Sequence, residues 1–82
     1  MIIKYPLSTE KSIRLMESEN KLVFVVDNKA TKQEIRKEIE ETFNVKVAKV
    51  HTTSDFSGRK KAYVKFAPES PAIDLATKLG LM

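Results

Sequence analysis

The sequence predicts an α+β domain in the order strand, helix, strand, helix, strand, strand, helix, with a four-stranded mixed or antiparallel sheet under amphipathic helices. Three observations predict it. Short runs rich in Val, Phe and Leu, or alternating between apolar residues and lysine, read as strands. Stretches with apolar residues three or four apart, each preceded by a capping residue, read as helices. One brief connection holding Asp55 and Gly58 ties two neighbouring strands into a hairpin.

The first strand, residues 2–5, is stopped by Pro6, which cannot donate to a sheet ladder. Ser8 or Thr9 offers the N-cap of the first helix, and Glu10 sits where the helix dipole favours a negative charge. Ile13 and Met16 share one face of that helix, which fades near Asn20. Residues 21–27 form the second strand. Leu22, Phe24 and Val26 make one face and Val23 and Val25 the other, so both faces require cover.

Thr31 and Glu34 have the spacing of a capping box, in which the hydroxyl takes one orphan amide and the carboxylate reaches back to another. Ile35, Ile39 and Phe43 then line a single stripe, and Asn44 suits a left-handed terminal residue. The hairpin strands cover residues 45–53 and 60–67. Ala62, Val64 and Phe66 point one way, Tyr63 and Lys65 the other. Ser70 and Pro71 read as an N-cap and a first-turn proline. Ala72, Ile73, Ala76 and Leu79 form the stripe of the last helix, and Gly80 ends it.

A chain of 82 residues has room for one hydrophobic core, so residues 1–82 are read as a single domain. With 32% charged and 41% hydrophobic residues it has the composition of a folded protein rather than a disordered one. The absence of cysteine excludes disulfides and thiolate chemistry. The longest aliphatic and aromatic run, Leu22 to Val26, is far short of the ~20 residues of a membrane span. No secretory h-region follows the N-terminus. A cytoplasmic protein without membrane contact is expected.

The net charge of +4 is unevenly spread. Residues 45–66 hold Lys46, Lys49, Arg59, Lys60, Lys61 and Lys65 against Asp55 alone, whereas the rest of the chain carries nine basic and ten acidic residues. The positive excess thus gathers on the hairpin, as expected of a surface that meets phosphates. Phe56 and Tyr63 are interleaved with the cations, and Thr52, Thr53, Ser54 and Ser57 add hydroxyls for phosphate or 2′-OH groups. Blander readings stand beside these: the Arg59-Lys60-Lys61 run also suits a solvated turn, and Tyr63 a buried ring with a wet hydroxyl.

Little in the sequence supports catalysis. His51 is the one histidine, with no second histidine or cysteine to build a metal site. It reads either as a strand histidine or as a hydrogen-bonding or stacking partner for a nucleotide. Glu38, Glu40 and Glu41 splay over more than one side of their helix beside Lys37 and read as a solvated surface. No nucleophile–base pair is evident, so the expectation is a protein that is not an enzyme and takes no cofactor, metal or small-molecule substrate.

The segment Tyr5-Pro6-Leu7-Ser8-Thr9-Glu10-Lys11-Ser12 resembles the opening signature of the ribosomal large-subunit protein L-twenty-three family. Phe43 to Thr52 is similar to that family's Phe-x-Val-x-Val-x-x-Val-Asn-Thr segment, and Lys60 to Phe66 to its final strand. The matches occur in order along nearly the whole chain. His51 departs from the family's usual asparagine, and the connection over residues 54–59 is short, as in archaeal-type members rather than bacterial ones.

This resemblance implies a three-layer α/β/α arrangement with strand order 1-2-4-3. It also implies binding to large-subunit (23S-type) rRNA near the peptide exit tunnel, beside ribosomal protein L-twenty-nine, with a docking surface for nascent-chain factors such as the signal recognition particle. Glu10 is the implied docking residue. Lys11 joins Lys46, Lys49, His51, Thr52, Thr53, Arg59, Lys60, Lys61, Tyr63 and Lys65 as the expected RNA contacts. The alternative expectation is a free-standing α+β interaction or ligand-sensing module that forms a homodimer.

Overall fold

Strands and helices alternate through the computed structural model, which describes residues 2–7, 9–54 and 58–80. The elements are β1 (Ile3–Pro6), α1 (Glu10–Glu19), β2 (Lys21–Val26), α2 (Lys32–Phe43), β3 (Val47–Ser54), β4 (Lys60–Phe66) and α3 (Ala72–Lys78). The four strands form one sheet of order β1-β2-β4-β3, and every neighbouring pair is antiparallel. Since β2 and β3 both flank β4, they run parallel to each other, and α2 carries the chain between them. The element order and strand order are those expected.

Alternation divides the sheet. Leu22 pairs with Val64 and Phe24 with Ala62, and Val64 pairs in turn with Val50, giving one continuous apolar face. That face merges with Met16 of α1, Ile35 and Ile39 of α2, and Ala72, Leu75 and Ala76 of α3 into one core. Phe24, Ile35 and Ile39 are completely buried. Each side chain of this kind removed from water contributes about 1.5–3 kcal/mol. Phe43 is half-buried and stacks on Phe24 with ring centroids 6.3 Å apart. On the reverse face Val23 and Val25 are buried as well, and Val23 adjoins Leu7, Ser12 and Leu15 at the start of α1.

Local chemistry sets the element ends. Thr9 caps α1, exchanging hydrogen bonds with Ser12 at 2.8 and 3.2 Å; Ser8 lies outside the described residues. Thr31 and Glu34 form the expected box at α2. Asn20 and Asn44 end α1 and α2 in the left-handed region, at φ of 57° and 54°. β1 runs to Pro6, which an edge strand tolerates. The hairpin register closes at Ser54 and Lys60, with Gly58 at a φ of 86°; Asp55, Phe56 and Ser57 lie outside the described residues.

The last helix departs from expectation in two ways. Ser70 does not cap it: its hydroxyl accepts the Lys46 N–H, and Pro71 holds the N-cap position without a side-chain bond. The free amide of Ala72 is instead taken by the Asn20 side-chain oxygen, while Asn20 Nδ2 donates to the carbonyls of Phe66, Ala67 and Ser70. The buried stripe is Ala72, Leu75 and Ala76; Ile73 faces out at 45% exposure, because the helix turns its other side to the sheet.

Glu38 and Glu40 are not simply solvated. Glu38 accepts the N–H of Ile3 on one edge strand, and Glu40 accepts the N–H of Val47 on the other. Among the described residues, no helix is long and apolar enough to cross a membrane.

Candidate nucleic-acid interface

The face of the sheet opposite the main core carries the cations. In β4, Lys61, Tyr63 and Lys65 alternate with the buried Ala62, Val64 and Phe66. Antiparallel pairing sets partners of like orientation beside them: Lys61 lies between Val25 and Thr53, Tyr63 between Val23 and His51, and Lys65 between Lys21 and Lys49. Register alone therefore builds a patch centred on Tyr63.

Lys11 reaches the same place from the first turn of α1. Together Lys11, Lys21, Lys49, His51, Thr53, Tyr63 and Lys65 line a depression of about 350 Å³. A smaller one, between Tyr63, Lys61 and the start of α1, shares Lys11. The rings of His51 and Tyr63 are 6.4 Å apart and tilted by 56°. Lys21 is paired with Glu19 at 3.3 Å. Lys11, Lys49, Lys61 and Lys65 form no ion pair with a described carboxylate. Their charge is turned outward, with Glu19, the partner of Lys21, at the margin of the patch.

The expected contact residues thus separate. Lys11, Lys49, His51, Thr53, Lys61, Tyr63 and Lys65 converge. Thr52 pairs with Ala62 and lies with the other face, half-buried. Lys60 follows the same alternation; its ammonium donates to the carbonyl of Ala30 at 2.7 Å. Lys46 stands near Glu69, Nζ to Oε1 3.9 Å, beside Glu40 and Ser70. Arg59 donates to the Tyr5 hydroxyl at 3.3 Å near the hairpin end. The expectation that the whole hairpin run shares one surface is corrected: Lys60 leaves the group because a strand sends successive side chains to opposite faces, and Lys46, which precedes β3, stands by Glu69 instead.

Lys21 is the member that sequence reasoning missed. Its signal was present, since it alternates with Val23 and Val25 on β2, but a count of charge by chain segment passes over a lysine twenty-five positions before Lys46. Phe56 and Ser57, expected to add an aromatic ring and a hydroxyl, lie outside the described residues. Glu10 is exposed at the start of α1 and pairs with Arg14 at 3.1 Å.

The sequence profile of the family described as Ribosomal protein L23 matches residues 1–56. Over 81 residues the chain is 44% identical to a protein of Tetrahymena thermophila named Large ribosomal subunit protein uL23. The match covers 99% of this chain and 54% of that relative, so the chain spans about half the relative's length. The chain belongs to the ribosomal protein L23 family.

Proposed function

We propose that the chain is a structural constituent of the large ribosomal subunit that binds 23S-type rRNA through the sheet face around Tyr63. One observation carries the reading: Lys11, Lys49, Lys61 and Lys65, none ion-paired with a described carboxylate, gather with Lys21, Tyr63 and His51 on a single face. Lysines there neutralise phosphates and release counterions, while hydroxyls and rings fit the RNA's shape. The patch stands on the paired strands β2, β4 and β3, so RNA meets a preformed surface.

The test is binding of a large-subunit rRNA fragment at several salt concentrations. Lys49→Ala with Lys65→Ala is expected to weaken binding and to lower the log–log salt slope by about one unit per lost contact. Binding unchanged at every salt concentration removes this face from the function.

Membership of the family also supports a place near the exit of the peptide tunnel, beside ribosomal protein L29, with the signal recognition particle docking at Glu10. Glu10 is suitably accessible, tethered by an exposed i,i+4 pair that contributes little to stability. Ribosomes carrying Glu10→Ala are expected to recruit the particle less well. Undiminished recruitment removes Glu10 from that role.

A further inference from the structure

We propose that the depression beside Tyr63 seats one unpaired nucleotide of single-stranded RNA, its base against the Tyr63 ring and its phosphates on the surrounding lysines. This rests on the RNA-binding reading above and specifies what that face holds.

Shape is the first argument. A patch serving only the backbone of a duplex needs spread charge, and within a duplex no base face is open to a protein ring. Here the cations instead surround an open hollow of about 350 Å³. Lys11, Lys21, Lys49 and Lys65 line it, and the two rings of its aromatic wall belong to His51 and Tyr63.

Chemistry is the second. Tyr63 is half-buried on a central strand, so its ring is fixed before any ligand arrives and stacking orders only two torsions. The tilt of 56° between the rings leaves them as two walls of a wedge rather than a closed stack. A lysine rim offers donors alone, whereas Thr53 and His51 supply acceptors for the edge of a base. An acidic peptide would satisfy the lysines and leave the ring face and these acceptors idle. A nucleotide uses all three.

The whole chain is suited to a direct test, because Tyr5 and Tyr63 are its two tyrosines and it has no tryptophan. In a Tyr5→Phe background the intrinsic fluorescence reports Tyr63 alone. A short single-stranded RNA is expected to quench it on saturation, and an RNA duplex without unpaired bases is expected to bind more weakly and leave it unchanged. Tyr63→Phe is expected to bind single strands within about twofold of the parent. Tyr63→Leu is expected to lose about 5- to 100-fold at an unchanged salt slope. Lys49→Ala should lower the slope by about 0.7. Unquenched fluorescence at saturation, tighter binding of the duplex, or a Tyr63→Leu chain that binds like the parent while Lys49→Ala weakens binding would each overturn the nucleotide seat and leave the RNA-binding face standing. Indifference to both substitutions would overturn that face itself.

Discussion

The side-chain oxygen of Asn20 accepts the backbone N–H of Ala72 at 2.6 Å, joining the end of α1 to the start of a helix 52 positions later. Its amide nitrogen holds three carbonyls around the same junction, and its backbone turns through the left-handed region. Asn20→Ala is therefore expected to destabilise the fold by about 2–4 kcal/mol, from lost capping and a strained backbone together. Asn20→Gly, which adopts that φ freely, should recover about 1 kcal/mol of it. Urea unfolding of the two variants measures the difference; equal losses would mean that the backbone turn costs nothing.

Lys60 and Lys61 are adjacent in the chain and opposite in placement, which makes them a paired test. Lys61→Ala is expected to lower the salt slope of rRNA-fragment binding by about one unit at unchanged stability. Lys60→Ala breaks the bond to the Ala30 carbonyl and should cost about 1 kcal/mol of stability, with the slope intact. Salt titration and denaturant curves on both proteins separate the effects, and a reversed pattern would contradict the register.

The core makes a similar contrast. Ile39→Ala empties a fully buried position between α2 and the sheet and is expected to cost about 2–5 kcal/mol. Ile73→Ala, at a site 45% exposed, should stay within about 1 kcal/mol of the parent. Thermal or urea unfolding of each variant checks the pair.

At the start of α2, Thr31→Ala removes the hydroxyl that accepts the Glu34 amide and should cost about 1 kcal/mol. Because this cap lies outside the lysine face, affinity for RNA is expected to remain as in the parent. A measurable loss of affinity at full folding would tie α2 to the interface.

Much of this structure could be read from local patterns. The box at Thr31 and Glu34, the left-handed Asn44, and the alternation through Tyr63 and Lys65 all depend on residues a few positions apart, where spacing fixes geometry. What escaped depends on distant partners. Ser70 before Pro71 has the composition of a cap, yet the competing acceptor comes from Asn20 across the fold. The charge patch was visible as an excess on the hairpin, but its true membership follows strand parity and cross-strand register. Those remove Lys60 and admit Lys21, while Lys46, just ahead of β3, is drawn toward Glu69.

Glu38 and Glu40 of α2 have a consequence for the edges of the sheet. Outer strands with unanswered amides invite other chains to add to them. Glu38 occupies an amide of β1, Pro6 on the same strand has none to offer, and Glu40 occupies one on β3. A single helix thereby stands guard over both margins of the sheet.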